Sequence, residues 1–273
     1  MKKRNLLLLE ILIAILALLC LSPFYFLIVN SFKEARELAL DPASLPQGLY
    51  LGNFLKAFEI LNFPKVFLNS LIVTVSVNIG LVVVSSMAAY RLSRHDSRLN
   101  RFIFLLFIST LVIPFQSVMI PMVKVAGILH VLNSYHGVLF VYLGFGVSFT
   151  LFLYHGFIKT VPAEIEEAAV VDGCTQYGAF WKIVFPLLKP ITVTAFILNG
   201  LWVWNDFLLP LLIIPKEEMR TIPLAISSFF GQYTKQWHLA MAALIMGITP
   251  VVIAFLSLQK YIIEGITTGA VKS

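Results

Sequence analysis

The chain has 273 residues, of which 59% are hydrophobic and 12% charged, with a mean hydropathy of +0.90 and a formal net charge of +6. An average soluble domain carries about 25% charged residues, so this little polar side chain cannot clothe a single water-soluble core, and the excess apolar surface must face lipid. The basic excess calls for no nucleic acid, because membrane topology accounts for it.

Stretches free of Asp, Glu, Lys and Arg run over residues 11–32, 66–90, 102–123, 125–158 and 236–259, and a further stretch, 190–215, is interrupted only by Asp206. Each reaches the roughly 20 residues that a spanning helix needs. The 125–158 run opens with polar punctuation (Gly127, His130, Asn133, Ser134, His136) and yields one helix. The expectation is an all-α integral membrane protein with a single transmembrane domain over 1–273 and spans near 6–31, 67–90, 102–122, 137–158, 191–214 and 239–262. The first apolar run follows Lys2, Lys3 and Arg4 but is about twice too long for a signal peptide's apolar core, so it is expected to stay as a span. Cys20 within it and Cys174 in a distant loop read as unpaired small residues.

Lys2, Lys3 and Arg4, together with Arg91, Arg94, Arg98 and Arg101 between spans two and three, place seven basic residues in two short segments. The positive-inside rule makes that side cytoplasmic. Six spans return the C-terminus, with Lys260 and Lys272, to the same side.

Residues 33–65 carry Asp41-Pro42, Pro46, Gly48 and four acids against four bases, which suits a folded extracytoplasmic loop. The outer link between spans five and six, 215–238, has a mixed-charge start, Lys216-Glu217-Glu218 and Arg220, and an aromatic middle, Phe229-Phe230-Gly231-Gln232-Tyr233. Such rings form either a docking surface or a belt at the membrane interface.

The cytoplasmic link 159–190 is too polar to span and too long for a simple turn. Pro162 sits where a helix begins, Glu164, Glu166 and Glu167 fall in its first turns where the helix dipole favours acids, and Gly173 stands where a C-terminal cap belongs. Thr175 then caps a second helical stretch from Gln176 to Phe185, ended by Pro186 and Pro190. The predicted result is a helix-turn-helix knob.

Within it, Glu167-Ala168-Ala169, three residues, Gly173, nine residues, then Ile183, Val184, Phe185 and Pro186 resembles the EAA loop of ABC importer permeases, E-A-A-x3-G-x9-I-x-L-P, with only the Leu replaced by Phe185. Phe67-Leu68-Asn69-Ser70-Leu71, Ala88-Ala89-Tyr90-Arg91, Trp204-Asn205-Asp206-Phe207 and the ending Gly265-Ile266-Thr267-Thr268-Gly269-Ala270-Val271-Lys272 are similar to the carbohydrate branch of that superfamily, in particular its smaller maltose and multiple-sugar-type permease. The resemblance implies a type I ABC importer permease fold, with both termini cytoplasmic and a coupling helix that docks on an ATPase. It also implies a second permease subunit, two ATP-binding subunits or a homodimeric ATPase, an extracytoplasmic solute-binding protein and a sugar substrate moved by alternating access. On that basis the coupling residues are Glu167, Ala168, Ala169, Asp172, Gly173, Phe180, Ile183 and Pro186, the binding-protein contacts are Phe229, Phe230 and Tyr233, and the tail 264–273 contacts the ATPase pair. Glu167 also reads, more plainly, as a helix N-terminal acid interacting with the dipole.

No G-x-x-x-x-G-K-[ST] phosphate cradle is present, so no cofactor is expected in this chain, ATP and magnesium being held by the partner subunits, and the chain is not read as an enzyme. Asp206 is the only acid deep within a span, about 24 Å of helix beyond Pro190, and such a residue is a functional candidate by default. With Asn199, Trp202 and Asn205 it reads as lining a substrate path; a subunit-interface hydrogen bond or an aromatic belt is the plainer alternative. The five histidines lack metal-ligand spacing, and no H-E-x-x-H or G-x-S-x-G occurs. The competing classes are an importer permease for a non-sugar solute and an ATP-independent secondary transporter. The second has no use for an ATPase-docking knob and is marked by inverted repeats, which this sequence does not display.

Overall fold

The structure is a computed structural model describing residues 3–231 and 235–270, with side chains placed for residues 9–231, 235–257 and 259. The helices in chain order are α1 (Lys3–Ser31), α2 (Ala35–Leu40), α3 (Gly52–Ile60), α4 (Phe63–Arg94), α5 (Arg98–Thr110), α6 (Phe115–Ile128), α7 (Tyr135–Ile158), α8 (Glu164–Val171) and α9 (Gln176–Ala179). A π-helical turn (Phe180–Val184) leads into α10 (Phe185–Leu187), and α11 (Lys189–Asn205), α12 (Leu208–Ile213), α13 (Ile222–Ile226) and α14 (Trp237–Ala270) complete the chain. Among the described residues the only β-pairing is one isolated bridge between Phe230 and Lys235.

Four segments, Leu9–Ser31, Phe63–Arg94, Tyr135–Ile158 and Trp237–Ser257, are each long and apolar enough to cross a membrane, and two bent helix pairs raise the number to six if each is one span. One pair covers the expected span 102–122 and is bent there: α5 and α6 meet at 105°. Pro114 explains the break, since it has no N–H to donate and excludes the helical conformation from Ile113. The expected span 191–214 is likewise not one helix, because α11 ends at Asn205 and α12 begins at Leu208.

The chain divides into two compact units, residues 1–66 with 225–250 and residues 67–224 with 251–273. In the first, every described position of α1 from Leu9 to Phe26 is exposed. A helix apolar all round and unburied within its own chain faces lipid or another subunit. The loop after it is folded as expected: Asn53 donates from Nδ2 to the carbonyls of Ser31 and Lys33 at 2.8 and 2.7 Å, and the Asp41 carboxylate accepts from the backbone of Ala43 and Ser44.

In the second unit, two apolar clusters lie along the packed helices. One joins Val73, Val77 and Leu81 of α4 to Val138, Val141 and Tyr142 of α7 and to Val203, Leu209 and Ile213. The other joins Ala89, Leu151, Tyr154 and Ile158 to Phe180, Val184, Leu188 and Ile191. Ser134 caps α7 by accepting from the Gly137 N–H at 3.1 Å. A Cβ at Gly137 would lie 1.9 Å from the Val131 carbonyl oxygen, so only glycine admits this tight entry.

Candidate coupling and translocation site

The segment 159–190 folds as two short helices. Helix α8 ends with Gly173 at φ +90°, its N–H bonded to the Val170 carbonyl and the Cys174 N–H to the Ala169 carbonyl, both at 3.0 Å. This double bond is a Schellman closure, which requires the left-handed conformation that glycine adopts without cost. Thr175 then caps α9, its Oγ1 accepting from the Gly178 N–H at 3.1 Å. The π-helical turn precedes Pro186, and α9–α10 meets α11 at 75°, with Pro190 in the first turn of α11. Proline fits at that position because the missing N–H has no intrahelical partner there.

The knob is fastened to the end of α4. Arg94 donates from Nε to Glu166 Oε1 at 2.8 Å and from Nη2 to the same oxygen and to the Val161 carbonyl, while the Tyr90 hydroxyl donates to Glu166 Oε2 at 2.8 Å. The ion-paired side chains are only 15% and 10% exposed. The Tyr90 ring also packs on Phe180 with centroids 4.9 Å apart. Both carboxylate oxygens are therefore satisfied by charge-assisted bonds, the stronger kind in a low-dielectric setting.

At the far end of α11, Asp206 stands in the break before α12. Its Oδ1 accepts from the backbone N–H groups of Leu208 and Leu209 at 2.9 and 3.4 Å, and its Oδ2 accepts from the Tyr142 hydroxyl at 3.0 Å. This acid caps a helix start, where the dipole favours it. One turn earlier, Trp202 meets Tyr142 edge to face at 5.3 Å and is 40% exposed. Asn205 is exposed and bonds back to the Leu201 carbonyl, whereas Asn199 is buried and donates to Thr150 Oγ1 at 2.9 Å. Trp204 is buried, packed edge to face on Phe67.

The start of α4 holds the link that follows α12. Asn69 donates from Nδ2 to the carbonyls of Glu218 and Arg220 at 3.0 Å each and accepts from the Tyr135 hydroxyl at 2.7 Å, and Ser70 Oγ accepts from the Ile222 N–H at 2.8 Å. The Asn-Ser pair thus reads physically as a clamp on loop backbone.

A family model described as the binding-protein-dependent transport system inner membrane component matches residues 81–268. The chain belongs to that family. The permease is 46% identical to the probable starch degradation products transport system permease protein AmyC of Thermoanaerobacterium thermosulfurigenes, across 94% of each chain. It is 34% identical to the melibiose/raffinose/stachyose import permease protein MelC of Bacillus subtilis, across 99% of this chain and 98% of that one. A likeness with TM-score 0.81 and 20% identity links it to a chain of a bacterial ABC transporter involved in the import of the acidic polysaccharide alginate, covering 95% of this chain and 97% of that one. At that identity the likeness establishes the importer permease fold, and membership of the family places the permease in the inner membrane.

Against this frame of named residues, Glu167, Ala168, Asp172, Gly173 and Pro186 of the permease are exposed, Ile183 is half-buried, and Ala169 and Phe180 are buried at 6% and 2%. Ala169 and Phe180 fill the inside of the knob, where Phe180 packs on Tyr90 of α4. Phe229, at 2% exposed, is core, turned inward by the 3-10 turn Ser227–Phe229, while Phe230 is 39% exposed and rests edge to face on Trp237 at 4.9 Å. Tyr233 and the last residues of the tail, 271–273, lie outside the described residues, and for 264–270 only the backbone helix of α14 is described. Sequence reasoning passed over Tyr90, Arg94, Glu166 and Tyr142. Tyr90 and Arg94 are four apart on one helix face, a spacing that marks a shared partner, but the basic residues had been absorbed into the topology signal.

Proposed function

We propose that the permease moves a sugar or oligosaccharide inward by alternating access, driven by ATP hydrolysis on partner subunits, and that the α8–α10 knob is the cytoplasmic element through which the ATPase acts. The observation that carries this reading is the construction of the knob: an outward face bearing Ile165, Glu167, Val170 and Val171, and an inward acid, Glu166, bolted to Arg94 and Tyr90. An apolar face edged by the exposed acids Glu164, Glu167 and Asp172 suits docking in a groove. The bolt and the 75° junction with α11 transmit rigid-body displacement to two spans at once. The basic residues around Arg94 support a cytoplasmic placement by the positive-inside rule. The starch-product and melibiose/raffinose/stachyose permeases among its relatives support a carbohydrate cargo. ATP and its magnesium ion belong, in this reading, to two ATP-binding subunits or a homodimeric ATPase, with a second permease and an extracytoplasmic binding protein completing the machine and no catalysis in this chain. Trp202 and Asn205, the exposed polar and aromatic groups of α11, are the residues of this chain that face the cargo path.

The test is Glu167→Lys, read by copurification of the ATPase and by uptake of labelled malto- and galacto-oligosaccharides. Uptake should fall at least tenfold while the permease remains in the membrane at parental level. Parental copurification and uptake would remove the knob from the coupling path, and absence of oligosaccharide uptake by the assembled parent transporter would remove the carbohydrate cargo.

A further inference from the structure

A cleft of about 510 Å³ opens beside the coupling segment, lined by Leu92 and Ser93 of α4 and Asp96 after it, by Asn100, Arg101, Phe104 and Leu105 of α5, and by His155 and Lys159 at the end of α7. Three nitrogenous groups from two helix ends converge on it. His155 is 9% exposed, stacked face to face on Phe104 with ring centroids 3.9 Å apart, and its ring nitrogens bond to none of the described residues. Lys159 is exposed and has no hydrogen bond or ion pair among the described residues. Arg101 meets only Asp96, at 3.3 Å, in a pair whose side chains are 70% and 82% exposed, a contact of little worth in water. Ser93 Oγ donates to the Tyr90 carbonyl and so keeps its lone pairs for a donor. Asp96 is the one acid at the rim.

An imidazole whose nitrogens open to the cleft beside two underused cations suits an acceptor-rich anion. The cleft's other wall says which. Leu105 lines the cleft and is 58% exposed, and Phe102 and Leu106, its neighbours on α5, are 63% and 55% exposed. A polar, basic recess thus continues into an outward apolar strip along a membrane helix. We infer that this cleft binds the phosphate of an anionic phospholipid, with Arg101, Lys159 and His155 on the headgroup and an acyl chain along Phe102, Leu105 and Leu106. A free phosphate satisfies the recess but leaves the strip unused. The site stands next to the Arg94–Glu166 bolt, since Leu92 and Ser93 of α4 line it, so an occupied headgroup stiffens the helix end to which the coupling segment is fastened. The inference does not rest on the cargo, because lipid retention is measured without transport.

The experiment uses the transporter purified with its native partners in detergent and native mass spectrometry after titration with phosphatidylglycerol, phosphatidylcholine or inorganic phosphate. The parent complex should retain phosphatidylglycerol in preference to phosphatidylcholine. Each of Arg101→Gln and Lys159→Gln should weaken that retention about fivefold, the effect of removing one basic residue near an anionic surface, and Lys159→Arg should restore it. His155→Leu, which keeps the stacked apolar volume, should also reduce retention. Parental phosphatidylglycerol retention in the Arg101→Gln, Lys159→Gln double variant overturns the site, and so does equal retention of the two lipids by the parent. Displacement of phosphatidylglycerol by inorganic phosphate at millimolar concentration assigns the recess to a free anion and overturns the lipid.

Discussion

Two breaks in the helical path of this permease, at the coupling segment and at the end of α11, are each held by an acid whose carboxylate accepts from a tyrosine: Glu166 from Tyr90 and Asp206 from Tyr142. They differ in what completes the shell. Glu166 faces a guanidinium of a second helix, so an ion pair fastens one element to another, whereas Asp206, besides its tyrosine, takes the backbone N–H groups two and three residues on and so shapes its own chain. A charge balanced by a charge can tie distant segments; one balanced by a helix N-terminus chiefly fixes a local turn. The comparison separates an acid that ties two segments by an ion pair from one that chiefly sets a local turn.

The largest effect should come from Arg94→Ala, which leaves a buried carboxylate without its cation and costs about 3–5 kcal/mol. The permease should lose thermal stability, measured in detergent by a fluorescent unfolding assay, and lose ATPase copurification. Combining it with Glu166→Leu removes the stranded charge and should recover stability but not coupled uptake. Recovery of both would reduce the bolt to a local packing detail.

Asp206→Ala should cost about 1–2 kcal/mol by deleting a helix cap and orphaning a tyrosine hydroxyl. Asp206→Asn keeps a carbonyl oxygen for the backbone N–H groups and turns an amide N–H to the Tyr142 hydroxyl, which can accept it, and should therefore transport nearly as well as the parent. Uptake lost in the Asn variant at parental stability would turn Asp206 from a shaping residue into a charge that the path needs.

Gly173→Ala should cost about 1–2 kcal/mol, since a Cβ in the left-handed region meets the following carbonyl. Space is not the obstacle, because nothing lies within 4 Å of the added Cβ. Parental uptake and stability would show that α8 tolerates another ending. The smallest pair is Tyr90→Phe against Tyr142→Phe, each losing one hydrogen bond worth about 1 kcal/mol. Equal stability losses with a coupling defect in the first alone are the expected result, read as ATP hydrolysed per solute imported.

Much of this architecture was legible in the chain itself. Charge-free runs gave the apolar segments, and Pro162, Gly173, Thr175 and Pro190 marked the ends of the coupling helices at the positions where caps and a closing glycine are found. These signals are local, since a cap or a prolyl ring acts within one turn of its own position. The α5–α6 bend was harder to read because Pro114 sits amid residues whose hydropathy is indistinguishable from that of a continuous span. Asp206 drew attention as an acid in apolar surroundings, but its composition could not tell a cargo contact from a cap.

The sequence by itself determined the solvent of this protein, the family pattern and the local stops and turns, because hydropathy, capping and backbone freedom depend on residues close along the chain. Tertiary structure alone decided which acid is bound and which is free. Glu166 and Glu167 are adjacent and chemically identical, yet helical rotation buries one against Arg94, 72 residues away, and leaves the other exposed. It likewise brought His155, Lys159 and Arg101 to one cleft, because the ends of α5 and α7 meet only when the helices pack.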